Sequence, residues 1–265
     1  MEHLVADGLV IRTRDIGTDR YLTLVTADMG RITLLSKGSH SLRSEQRAIS
    51  QLYTYGNYEF YRRGDFYVLK GGSVNHSFHS LSRDMDRLNL SAYFCDVGYE
   101  LTDEGEPASE MLRLLLNALY AIDEGRYSST LVKAVFELRA AFSAGYAPTL
   151  EMCAVCRCEG QKTEYLDVMN GALLCADCFR KLQEKPVAPT DYDDLREARI
   201  IVRITPAVHA ALTYVSRAPL ARLLAFELAD GEDTRLFESL AETYLLSHLG
   251  HGFDTLDFYH TMRKL

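Results

Sequence analysis

Four cysteines constrain this chain more than any other feature. Cys153-x-x-Cys156 and Cys175-x-x-Cys178 are two pairs separated by 18 residues. A two-residue gap lets a tight turn aim both thiolates at one ion, and two such turns supply the four sulfurs of a tetrahedral structural zinc site. Between the pairs, Tyr165, Leu166 and Val168 followed by Asn170-Gly171 form a strand-and-turn pattern that returns the second pair to the first. Cys158 could replace Cys156, although Cys156 has the standard gap, and Cys95 reads as plain core on an apolar helical face. Four protein sulfurs leave no open position for water or substrate, so the expected Zn2+ is structural and folds a loop too small to fold alone. The competing reading is four unrelated reduced thiols, or a redox pair.

Six Cys in 265 residues do not look like a disulfide framework. No stretch approaches the roughly 18 apolar residues of a spanning helix, and Met1-Glu2-His3 lacks the form of a signal peptide. A cytoplasmic protein with no membrane contact is the expectation. The net charge of -8 argues at first against a nucleic-acid partner. Its distribution weakens that argument. Residues 1–80 carry a balance of +2, whereas residues 81–150 and 151–265 carry -5 each.

The mildly basic third also has its own period. Leu4 to Arg14, Arg20 to Ala27, Arg31 to Lys37, Tyr53 to Tyr61 and Phe66 to Val74 are rich in β-branched and aromatic residues and are separated by turn signals. Five short strands with hairpin-length links predict a small closed barrel, which leaves no long edges. The longest link, Gly38 to Ser50, reads as an exposed loop. From Leu81 the period becomes helical: Leu88 to Leu101, then Met111 to Ile122 opened by Pro107 and Ser109 and closed by Gly125, then Ser129 to Gly145. Thr205-Pro206 opens a helix to about Ser216, followed by helices at Leu220 to Leu228 and Arg235 to Leu249, with Asp230-Gly231 between them. The expected fold is α+β and multidomain: a five-stranded OB-fold barrel over 1–80, an α-helical domain in two parts (81–150 and 186–265), and an inserted four-cysteine zinc module over 151–185.

Catalytic chemistry is hard to find. There is no phosphate-binding G-x-x-x-x-G-K-[ST], no G-x-G-x-x-G after a strand, no H-E-x-x-H, no G-x-S-x-G and no deaminase H-x-E signature. His76 with His79, and His248 with His251, read as surface or capping residues, and Asp191, Asp193 and Asp194 as a solvated acidic linker. The chain is not expected to be an enzyme, and a metal-dependent hydrolase is a distant option.

Seven aromatics lie between Tyr53 and Tyr67: Tyr53, Tyr55, Tyr58, Phe60, Tyr61, Phe66 and Tyr67. Strand alternation cannot send all of them into a small barrel's core. Exposed rings beside Arg62, Arg63 and Lys70 could stack bases while cations track phosphates. Arg12, Arg14, Arg20, Arg31, Lys37, Arg43 and Arg47 add to the binding case as a group, although each alone could be an ordinary solvated charge.

In its order of parts the chain resembles the bacterial RecO family of recombination mediators in DNA repair. The resemblance is carried by Gly8 to Arg14 with Asp19 to Thr26, by Met29-Gly30-Arg31, and by Ser36-Lys37-Gly38 with Leu42-Arg43-Ser44. It continues through Phe136-Glu137-Leu138-Arg139, Gly145-Tyr146-Ala147-Pro148, Cys153-Ala154-Val155-Cys156, the Gly171-to-Cys178 segment and Tyr244 to Gly250. It implies an N-terminal OB fold, a helical domain and a zinc module. It further implies binding of single- and double-stranded DNA, annealing of complementary strands, and assistance with RecR in loading RecA onto strands coated with single-strand-binding protein, with localisation to the nucleoid during repair. Relatives contact that protein's acidic C-terminal tail through the helical domain; here Phe136, Arg139 and Ser143 would share a helix face, with Arg139 meeting either that tail or an internal acid. Many relatives carry several basic residues after the Lys-Gly of the long loop, whereas this chain has Ser39-His40-Ser41. The rival reading from another class is a zinc-stabilised adaptor whose barrel binds protein rather than DNA.

Overall fold

The computed structural model describes residues 3–38, 46–64, 66–159, 164–184, 199–229 and 231–263. In chain order it begins with strands β1 (His3–Ile16), β2 (Asp19–Thr26), β3 (Gly30–Ser36), β4 (Thr54–Arg63) and β5 (Phe66–Ser77), followed by helices α1 (Met85–Glu100), α2 (Ser109–Glu124) and α3 (Ser129–Ala141). It continues with β6 (Glu164–Asp167), β7 (Ala172–Cys175), α4 (Ala176–Glu184), β8 (Ile201–Ile204), α5 (Pro206–Arg217), α6 (Glu232–Leu249) and α7 (Asp254–Met262). Contacts divide the chain into two compact units. One holds residues 1–129 and 253–265, the other 130–252. The segments read from composition therefore do not coincide with these units, because α1 and α2 belong with the barrel.

In the first unit the five strands close in the order β1-β2-β3-β5-β4, with β1 also pairing β4 and with β3 and β5 parallel. This is the five-stranded OB arrangement expected from the strand spacing. Alternation sends Leu22 and Leu24 of β2 and Ile32 and Leu34 of β3 inward, where they meet Val10, Phe60 and Leu69. Tyr58 is fully buried, its hydroxyl within 3.1 Å of the carbonyls of both Ile49 and Thr54, so a polar tip inside the barrel is satisfied by backbone.

The link between α1 and α2 is laced to the β2–β3 turn. Arg31 donates its amide to Asp103 (3.0 Å), Gly105 to Met29 (3.0 Å) and Ala108 to Ala27 (2.9 Å). Gly30 turns with φ +65°, and a Cβ there would collide with the carbonyl oxygens of Asp103 and Glu106. Only glycine meets both demands. Helix α7 returns to this unit, with Phe253 edge-on to Tyr93 of α1 at 5.6 Å and Thr255 bonded to Asp96 at 2.8 Å.

The second unit packs α3, α5 and α6 with a small sheet of order β7-β6-β8. Lys133 is buried between Glu137 (2.7 Å) and Glu242 (2.6 Å), and Tyr244 donates its hydroxyl to the carbonyl of Tyr146 at 2.7 Å. Thr205 caps α5 by accepting from the Val208 amide, with Pro206 in the first turn, as the sequence predicts. The helix predicted at Leu220 to Leu228 is a single 3-10 turn at Leu220–Arg222. In that segment the Phe226 ring packs near Tyr214 (5.2 Å) and Phe237 (5.9 Å), and a stretch so short nucleates a helix poorly. Helices α4 and α7 and strand β8 are elements that the sequence reading does not assign.

Candidate nucleic-acid interface and metal centre

The outer face of the barrel gathers the cations and rings that the sequence leaves scattered. Residues that alternate outward on β1, β2 and β3 are Arg12, Arg14, Tyr21, Thr23, Arg31, Thr33 and Leu35, and the start of β5 adds Phe66 and Tyr67. Register holds them side by side: Tyr21 is opposite Leu35, Thr23 opposite both Thr33 and Arg12, and Arg14 opposite Tyr21. Tyr99, from the last turn of α1, stands on this face. The Arg12 guanidinium carbon lies 3.6 Å from its ring centroid and that of Arg31 lies 3.7 Å away. Two adjoining grooves result. One, of about 580 Å³, is lined by Arg12, Arg14, Ile16 and Tyr21; the other, of about 250 Å³, by Arg31, Phe66, Tyr67 and Glu104; both are bounded by Tyr21, Thr33 and Tyr99.

The cations differ in how they are held. Arg12 pairs with Asp96 at 2.7 Å, and Arg31 donates to the Tyr99 carbonyl at 2.6 Å. Arg20 makes a two-point contact with Asp15 (2.6 and 3.1 Å) and reaches the Ser50 carbonyl (3.2 Å), which ties the β1–β2 hairpin to the segment before β4. Arg14 and Lys37 are exposed, as are Arg62 and Arg63 at the β4–β5 hairpin, where Arg62 bonds the Gly64 carbonyl at 3.1 Å. Arg43 lies outside the described residues. Of the seven aromatics, Tyr53, Tyr58 and Phe60 are inside, Tyr55, Tyr61 and Tyr67 are half-buried, and Phe66 is 48% exposed. Sequence reasoning misses Tyr21 and Tyr99. Alternation along β2 could have found the first. Nothing in the spacing of α1 singles out Tyr99, since that helix also carries Asp86, Arg87, Asn89, Asp96 and Glu100.

The cysteines converge as expected: the sulfurs of Cys153, Cys156, Cys175 and Cys178 all lie within 4.8 Å of one another. A tetrahedral ion with metal–sulfur bonds of about 2.3 Å needs sulfurs about 3.8 Å apart, so the set fits such an ion. Cys175 ends β7 and Cys178 lies in the first turn of α4, so this pair sits at a helix N-terminus, where burial pushes the Cys178 thiol up to about 12. The first pair is closed by Arg157, whose amide donates to the Cys153 carbonyl at 2.9 Å and whose φ is +62°. Burial disfavours the Cys153 thiolate, yet amides of Cys156, Cys175 and Val155 outweigh it and bring the thiol down to about 6. Cys158 is outside the four-sulfur set, with its sulfur 3.2 Å from that of Cys156. Cys95 is core, 2% exposed.

The three residues read as a partner site are not presented together. Phe136 is 1% exposed, Arg139 donates to the carbonyls of Val215 (3.3 Å) and Ser216 (3.2 Å) at the end of α5, and Ser143 is exposed in the turn after α3. Beside that end of α5 runs a groove of about 610 Å³ lined by Pro206, His209, Ala210, Thr213, Tyr214 and Arg217. His76, His79 and His251 are exposed and His248 half-buried, and Asp191, Asp193 and Asp194 lie outside the described residues. Among the described residues no helix is long and apolar enough to cross a membrane.

Comparison with known proteins matches two successive parts of the chain to one family. Residues 1–78 match the family model "Recombination protein O N terminal" and residues 82–196 match "Recombination protein O C terminal". The chain is 26% identical over 266 residues to the DNA repair protein RecO of Acetivibrio thermocellus, covering 100% of this chain and 99% of that one. It is 30% identical over 175 residues to the RecO of Clostridium kluyveri (66% of this chain, 68% of the relative). Against that of Halalkalibacterium halodurans it is 28% identical over 177 residues (66% and 69%).

Proposed function

Because this chain belongs to the recombination protein O family, we propose that it is a DNA-binding mediator of repair and recombination that works without catalysing a reaction. The observation that carries this reading is the barrel's outer face, where Arg12, Arg14, Arg31, Tyr21, Phe66, Tyr67 and Tyr99 line two adjoining grooves. Rings and cations interleaved on an OB barrel are how single strands are held without sequence preference. On this reading the protein binds single- and double-stranded DNA, anneals complementary strands, and with RecR helps RecA replace single-strand-binding protein on DNA in the cytoplasm. The ion suited to the four sulfurs is Zn2+, which would fold the cysteine module and supply no reactive site.

One observation favours the adaptor reading instead. Arg12, Arg20 and Arg31 are engaged within the protein, which leaves, of the predicted set and among the described residues, Arg14, Lys37, Arg62 and Arg63 to meet phosphate. A strand held by about four phosphate contacts would give a slope of log K against log salt near -2.8. Salt-titrated binding of a labelled single strand separates the two readings: an adaptor binds none even at low salt. Exchanging Arg14 and Lys37 for Glu should lower both the affinity and the slope. Annealing of strands coated with single-strand-binding protein, with and without that protein's C-terminal tail, then tests the partner. Annealing that ignores the tail would remove the tail from the proposal.

A further inference from the structure

Arg12 and Arg31 are held in a way that suits neither a solvated charge nor a phosphate clamp. Both guanidiniums lie on the same ring, at 3.6 and 3.7 Å from the Tyr99 centroid, and each lines a different one of the two grooves that Tyr99 divides. Tyr99 therefore links the two cations, each of which sits over its ring. Each cation is also fixed at its edge. Arg12 donates to Asp96 at 2.7 Å, and the second oxygen of that carboxylate takes Thr255 at 2.8 Å; Arg31 donates to the Tyr99 carbonyl at 2.6 Å. Each guanidinium thus lies over the ring with an N–H engaged, and each also lines a groove. A flat, weakly hydrated cation held this way is a stacking partner for another flat π-system.

We propose that Arg12 and Arg31 are base-stacking platforms. A single strand crossing the face places one nucleobase on the Arg12 plane, between Arg14 and Tyr21, and another on the Arg31 plane, beside Phe66 and Tyr67, with Tyr99 linking the two cations. Tyr99 is the positioning residue that holds the two planes at a fixed separation. This rests on the DNA-binding reading above and goes beyond it by separating cations that stack from those that contact phosphate.

Lysine keeps the charge and loses the plane, which provides the test. In binding titrations with a labelled single strand over several salt concentrations, the double variant R12K/R31K should bind about tenfold weaker or worse while keeping the salt slope of the unaltered protein. On a strand of the same length made of abasic sites, variant and parent should bind alike. Y99L should behave as the double variant. In the unaltered protein, single abasic substitutions along a short strand should weaken binding at two positions, a readout that needs no variant to fold. Undiminished binding by R12K/R31K, or an equal loss on the abasic strand, overturns the platform assignment alone. A parent protein that binds no strand at low salt overturns the DNA reading and this assignment with it.

Discussion

The barrel and the cysteine module solve the same problem by different means. The barrel closes its backbone hydrogen bonds on themselves and buries Leu22, Leu24, Ile32, Leu34 and Phe60 at 1% exposure or less. Around the four sulfurs, the buried cluster consists of Cys153, Cys175 and Cys178 with Cys158 packed against it. One region is stabilised by removing apolar area from water, while the other brings together four sulfurs that could hold a metal ion. Their surfaces differ accordingly. Stability carried by interior side chains leaves the barrel's outward positions open to rings and cations, whereas in the module the chemically distinctive side chains point at one another.

The comparison can be broken or sharpened in four ways. Removal of the metal should have the largest effect: structural zinc contributes on the order of 10 kcal/mol to small sites, so a strong chelator or Cys175→Ser should unfold the module. Hydrogen exchange read peptide by peptide would then show protection lost around residues 153–178 and kept in β2 and β3. A barrel that lost protection in step with the module would contradict the contrast. Phe60→Ala should do the reverse, costing the barrel about 3–5 kcal/mol in urea unfolding while leaving the metal content unchanged. Gly30→Ala should cost about 3 kcal/mol, from the left-handed backbone together with the collision against the 101–108 link; an unchanged urea midpoint would show that this link yields easily. The smallest effect is a gain. Arg157 holds a left-handed φ that costs an ordinary residue about 1–2 kcal/mol, whereas glycine's extra freedom when unfolded costs about 0.5–1 kcal/mol, so Arg157→Gly should tighten metal retention by roughly 0.5–1 kcal/mol in chelator competition.

What could be read from the sequence follows the range of the interactions. The five strands and the cysteine set are written in local spacing, period two in one case and two pairs of thiols in the other. Helices opened by Thr205-Pro206 and closed by Gly125 carry local stop and start signals too. The single turn at Leu220–Arg222 departs from the predicted helix in a segment where Phe226 packs near Tyr214 and Phe237, which are distant in sequence or on another element. The candidate site behaves likewise. Arg12, Arg14 and Arg31 could be picked out as basic strand residues, but that Arg12 and Arg31 share one ring depends on a contact between Tyr99 and two strands far earlier in the chain. Arg20, basic and in the right strand, is instead engaged by Asp15, a distinction of side-chain partner that residue type does not encode.

The return of α7 to the first unit affects how the protein is made. Domains emerging from a ribosome generally fold in order, the N-terminal one first. Here Phe253 packs on Tyr93 and Thr255 braces the carboxylate that holds Arg12, so the unit that begins the chain also contains its last helix. The barrel strands can pair early, but the Asp96 anchor that holds Arg12 is completed only once Thr255 has been translated. A nascent chain would thus carry a formed barrel whose Arg12 and Asp96 pair is braced last.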